Sequence, residues 1–128
     1  MNRLSLAFFT TGALCALGGM IWGAYMGATE NFTLSPAHAH LNLVGWASLA
    51  LMGTFYAISG KAGRLGWTNY GLSTLGVVLM IPSLALYLGG QPAAQSGLMA
   101  GTLVTILGML TFVASVLSHW SKAKPASA

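Results

Sequence analysis

The sequence predicts an all-α fold: one integral-membrane domain built as an up-down four-helix bundle. Three observations predict it. Five lysines and arginines and one glutamate are the only formally charged residues among 128, where a soluble domain carries about 25% charged side chains. More than half of the residues are apolar, at 55%. Four uncharged runs of roughly 20 residues, the length that crosses a ~30 Å hydrocarbon core at ~1.5 Å per residue, are separated by short polar links.

The first run, Leu4–Met26, follows Arg3 in the manner of a signal peptide. It continues past Met20, which suits an uncleaved spanning helix. Cys15 lies within it as the one cysteine, so no intramolecular disulfide and no thiolate cluster can form. Gly19, Gly23 and Gly27 repeat a small-xxx-small step that lets helices approach closely. The second run, Pro36–Ile58, begins after Ser35, a good N-cap, with Pro36 suited to the first helical position. The third, Trp67–Leu88, contains Pro82, which frees a carbonyl near Val78 and favours a kink. The fourth, Ser96–Ser118, carries a further small pair at Gly97 and Gly101 and leads into a polar tail over residues 119–128. Links as short as Gly27–Ser35, Ser59–Gly66 and Gly89–Gln95 favour antiparallel neighbours.

Orientation follows from the cations. Arg3, Lys61, Arg64, Lys122 and Lys124 all fall on one side of such a bundle, and Glu30 alone marks the other. The positive-inside rule then places both termini and the middle loop in the cytoplasm of a bacterial inner membrane. Trp22, Tyr25, Tyr56, Trp67, Tyr70, Tyr87 and Trp120 stand near span ends, where aromatic belts form. The basic balance is not a nucleic-acid signal, because the five cations make no patch.

Chemistry concentrates at the start of the second helix, in Ser35-Pro-Ala-His-Ala-His-Leu-Asn-Leu-Val-Gly-Trp46. Ligating groups at the edge of a lipid core are costly and mark function by default. His38, His40 and Asn42 are therefore the candidate site residues, with His38 and His40 as candidate metal ligands. At about 100° per residue the two imidazoles point about 200° apart, so one helix cannot aim both at one ion. Asn42 returns to the His38 face, and Gly45, Leu49, Met52 and Tyr56 extend that stripe. One imidazole is then free for a cofactor while the other bonds to a neighbour. The bland alternative is that both bond to carbonyls of the Gly27–Ser35 link. His119 lies at the opposite end of the bundle and cannot complete a three-histidine centre. Met20, Met26, Met80 and Met99 fall in the outer halves of their helices, where thioethers with imidazole suit copper(I), although methionine also fills helix gaps routinely.

The segment from Pro36 to about Tyr56 resembles a helix in subunit I of haem-copper oxidases, particularly the cbb3-type and nitric-oxide-reductase branch. In that family a Pro-x-His-like start supplies an axial ligand to low-spin haem b, and Pro36-Ala37-His38 matches it. The whole chain, with His-x-His-x-Asn followed by Gly45-Trp46, also resembles small four-helix bacterial proteins described as oxidase subunit I-like. The resemblance implies a membrane haem b protein in electron transfer or gas sensing, with a respiratory redox partner. It does not imply an oxygen reductase, because the histidine trio for copper, the catalytic tyrosine and the second haem ligand are missing. The second axial position then falls to His40, to a thioether such as Met99, or to another protomer of a homo-oligomer. Two further readings stand beside this one: a copper-binding membrane protein using His38, His40 and methionines, and a cofactor-free subunit or assembly partner. A conventional stand-alone enzyme is not indicated, for the chain has no Ser-His-Asp set and no paired carboxylates.

Overall fold

Asn2 begins the fold by accepting a 2.8 Å hydrogen bond from the Ser5 N–H through its side chain, an N-cap that satisfies one of the orphan donors of a helix start. Helix α1 then runs Arg3–Thr29 and stops where Glu30 turns left-handed at φ 51°. Helix α2 spans Ser35–Ser59, α3 Arg64–Leu88, and α4 Gln95–Trp120 after a single 3-10 turn at Pro92–Ala94. The structure is a computed structural model and describes residues 1–60 and 63–120. Among these, all regular structure is helical, and four helices are long and apolar enough to cross a membrane. Lys61, Lys122, Lys124 and the tail beyond Trp120 lie outside the described residues.

Each helix outruns its apolar run by a few residues, because polar residues flanking a span are still helix-competent. His119 and Trp120, expected in the tail, belong to α4. Ser35 is helical, and the N-cap position falls to Leu34, with no side-chain cap. Helix α3 continues through Pro82. The largest departure is in α2, where Leu41–Ser48 winds as a π-helix between two α-helical ends.

Small residues set the packing. A Cβ on Gly101 would lie 2.5 Å from the Met80 nitrogen, and one on Gly108 2.9 Å from the Ser73 nitrogen, so α3 and α4 touch backbone to backbone. Their contact pairs, Ser73 with Gly108, Met80 with Gly101 and Ser83 with Gly97, ascend on one helix and descend on the other. Helices α1 and α2 pair in the same opposed sense, Phe8 with Gly53, Cys15 with Gly45 and Gly23 with His38. Two apolar clusters fill the space between. Leu4, Phe8, Leu49, Met52 and Tyr56 form one, and Val77, Met80 and Ile81 the other.

Candidate functional site

The N-terminal end of α2 is set by its first turns. Ser35 N–H donates to Phe32 O at 3.0 Å and His38 N–H to Leu34 O at 3.0 Å. Pro36 lies in the first turn, where its missing N–H would have been unpaired anyway. From this platform His38 and His40 diverge, as their spacing predicts.

His40 is exposed. Its Nδ1 lies 2.7 Å from the Pro36 carbonyl oxygen. A carbonyl only accepts, so Nδ1 carries the proton and donates. In the neutral imidazole Nε2 then keeps the lone pair, the form that ligates metals, and the backbone bond fixes the ring as an outer-sphere partner does in metal sites.

His38 turns inward onto α1. A Cβ at Gly23 would lie 3.0 Å from its Cε1, and the Trp22 ring meets it edge-on at 6.2 Å. Asn42 Nδ2 donates to the His38 carbonyl at 3.0 Å and stands 3.4 Å from His38 Nε2. Asn42 in turn occupies the notch at Gly19, where a Cβ would be 2.5 Å from its Oδ1. With Nε2 facing an amide donor, the His38 proton sits on Nδ1, which is buried and has no hydrogen-bond partner. The small-residue steps of α1 are therefore seats for the site residues: Gly19 for Asn42 and Gly23 for His38. Gly27, the third step, has nothing within 4 Å.

No family model, curated protein or solved structure matches this chain. The geometry must carry the chemistry. Among the described residues no group of three or more His, Cys, Asp or Glu converges on a point. The expected outer methionines divide, with Met26 and Met80 buried in packing and Met20 and Met99 exposed. A groove of about 380 Å³ between α1, α2 and α3 is lined by apolar residues such as Leu14, Leu41, Val77 and Pro82, and by neither imidazole. His38, half-buried against Gly23 and Trp22, is the less accessible imidazole, and His40 is the exposed one.

A polar cluster deep in the fold has no counterpart in the sequence reading. Tyr56, placed by sequence in an aromatic belt, is only 2% exposed. Its hydroxyl lies 2.9 Å from Ser115 Oγ and 3.2 Å from Asn69 Oδ1. Asn69 Nδ2 donates to Gly108 O at 2.7 Å and to Ser73 Oγ at 3.2 Å. Ser73 Oγ reaches the Met52 sulfur at 3.7 Å. Tyr70, half-buried, shares a 2.8 Å hydrogen bond with Thr11 Oγ1. The available signal was Asn69 itself, an amide three residues inside an apolar run.

Proposed function

We propose that this chain is a multi-pass protein of a bacterial inner membrane, an up-down bundle with both termini in the cytoplasm. It holds haem b at the outer end of α2 through His40 and serves electron transfer or gas sensing. The opposed contact pairs of α1 with α2 and of α3 with α4 support the bundle, and the placement of the cations supports its orientation. The observation that carries the haem reading is the 2.7 Å bond from His40 Nδ1 to the Pro36 carbonyl, which orients the ring of an exposed residue and makes Nε2 the ligating atom of the neutral imidazole. The chain offers no second imidazole on that face, so a second ligand to haem would come from His40 of another copy in a homo-oligomer, or from a gas. Haem bound there supplies a one-electron ferrous–ferric couple. The protein's own residues hold the ligand in place: Pro36 fixes the imidazole, the His38–Asn42 pair locks α2 onto α1, and Leu43 presents apolar surface one turn below.

The His38–Asn42 interlock on Gly19 and Gly23 favours a second reading, a cofactor-free membrane subunit whose polar residues serve only packing. Absorption spectra of protein purified from haem-replete cells separate the two. The haem reading expects a Soret band and sharp reduced α/β bands, lost in His40→Ala and retained in His38→Ala. A visible spectrum that stays flat after hemin is added rejects it. Loss in His38→Ala alone would move the ligand to the half-buried imidazole.

A further inference from the structure

Helix α4 carries a continuous apolar line that the described fold leaves open. Met99, Leu103, Ile106, Leu110, Val113 and Leu117 are each between 45% and 61% exposed, and their spacing alternates strictly between four residues and three. We infer that this line is an interface between copies of this chain, which assemble in threes or fours around parallel α4 helices.

Contact with lipid does not by itself produce the pattern. A lipid-facing surface has to be apolar, but hydrocarbon sets neither the spacing nor the size of its side chains. The other helices show as much. The same steps on the exposed side of α1 meet Leu6, Thr10, Ala13, Leu17, Met20 and Ala24. On α3 they meet Thr68, Gly71, Leu75, Val78 and Pro82. Small or polar residues and a proline interrupt both lines. On α4 every position is a large apolar side chain. Alternating steps of four and three keep one seam facing a partner once the helices supercoil left-handedly.

The inner side of α4 obeys the same seven-residue period. Gly101, Gly108 and Ser115 are buried and hold α4 against the fold, at Met80 and Ser73 of α3 and at the Tyr56 hydroxyl of α2. Two residues beyond each stands a leucine, Leu103, Leu110 or Leu117, about 200° around the helix. Both sides of α4 are thus straight seams. Ala100 and Ala114, exposed beside the open seam, let neighbouring backbones approach, and helix association in lipid depends on such close packing. All copies insert with one sidedness, so symmetry about the membrane normal makes their α4 helices parallel. In parallel coiled coils, leucine at the first core position with β-branched residues at the second favours three or four strands over two. Leu103, Leu110 and Leu117 hold the first position here, and Ile106 and Val113 the second.

The inference does not rest on haem, since it uses neither imidazole of α2, and its test counts copies of the full chain. The protein carries a fluorescent tag on its C-terminal tail and is excised from native membranes in polymer-bounded nanodiscs. Three or four photobleaching steps are expected for the parent, and one for Leu103→Ala/Leu110→Ala/Leu117→Ala. The variant Leu14→Ala/Leu17→Ala/Ile21→Ala, which trims exposed side chains of α1 instead, should keep the parent's count. A second readout serves if the α4 variant fails to insert. In a Cys15→Ser background, single cysteines at positions 103, 106, 110 and 113 should cross-link between copies on oxidation in the membrane. Cysteines at positions 104 and 111, on the half-buried side, should not. A parent that bleaches in one or two steps, a count unchanged in the α4 variant, or cross-linking equal at all six positions overturns the interface.

Discussion

Gly19 and Gly23 show what a single hydrogen atom in place of a methyl does in this protein. Each leaves a notch that one polar side chain of α2 fills, and a Cβ at Gly19 would lie 2.5–2.8 Å from three atoms of the Asn42 amide. Gly19→Ala must displace Asn42 from the His38 carbonyl or push α2 away, an overpacking cost of about 1–3 kcal/mol. Gly27→Ala meets open space and gains helix propensity, so its stability should stay within about 0.5 kcal/mol of the parent. Denaturation midpoints of the two variants in one detergent check both outcomes, and equal midpoints would reject the seating role. The glycine spacing and the His-x-His-x-Asn run were legible in the sequence, because periodicity is local. That the two patterns face each other was not, since it depends on the register between helices. Tyr56 was misplaced for the same reason. Its hydroxyl is paid for by Ser115, 59 residues away.

At the scale of the helix, the π-helical stretch Leu41–Ser48 is the least expected element. It stays hidden in the sequence because the buried stripe of Gly45, Leu49, Met52 and Tyr56 fits an ordinary helical period. The wide turn lets Asn42, Gly45 and Trp46 all meet α1, at Gly19, Cys15 and Gly12. Ser48 Oγ donates to Leu43 O, five residues back, at 2.9 Å, satisfying a carbonyl within the widened ladder. π segments cluster at functional sites, and this one begins one residue after His40. Deleting Leu43, which is 65% exposed, should rewind the stretch toward α-helix. The wide turn absorbs one extra residue, so the rewound helix keeps both the His38–Asn42 end and the Leu49 and Met52 face on their partners. The deletion variant is expected to unfold close to Leu43→Ala, whereas deleting a residue from the α-helical part, such as Leu51, should unfold far lower by turning one face through about 100°. Equal losses from the two deletions would mean that the π segment does not absorb the extra residue.

For the whole molecule, the four-span division was legible because charge-free runs of this length have few other uses. The sidedness read from the cations makes a direct prediction. In a Cys15→Ser background, Glu30→Cys should react with a membrane-impermeant maleimide in intact spheroplasts, and Arg64→Cys should react only after lysis. The reverse pattern would invert the bundle. Asn69 adds a constraint on how such a bundle is made. The amide sits inside α3 at 0% exposure, and its shortest bond is to Gly108 O, 39 residues further along the chain. At synthesis rates of about 5–20 residues per second, roughly 2–8 s separate the appearance of the two groups. During that interval the amide has Ser73 and Tyr56 beside it but lacks its shortest partner, the α4 carbonyl, and an incompletely paired amide is costly in hydrocarbon. The third span is therefore a poor candidate for release into lipid alone. It is better suited to waiting at the insertion machinery until the fourth span arrives and the two leave as a hairpin.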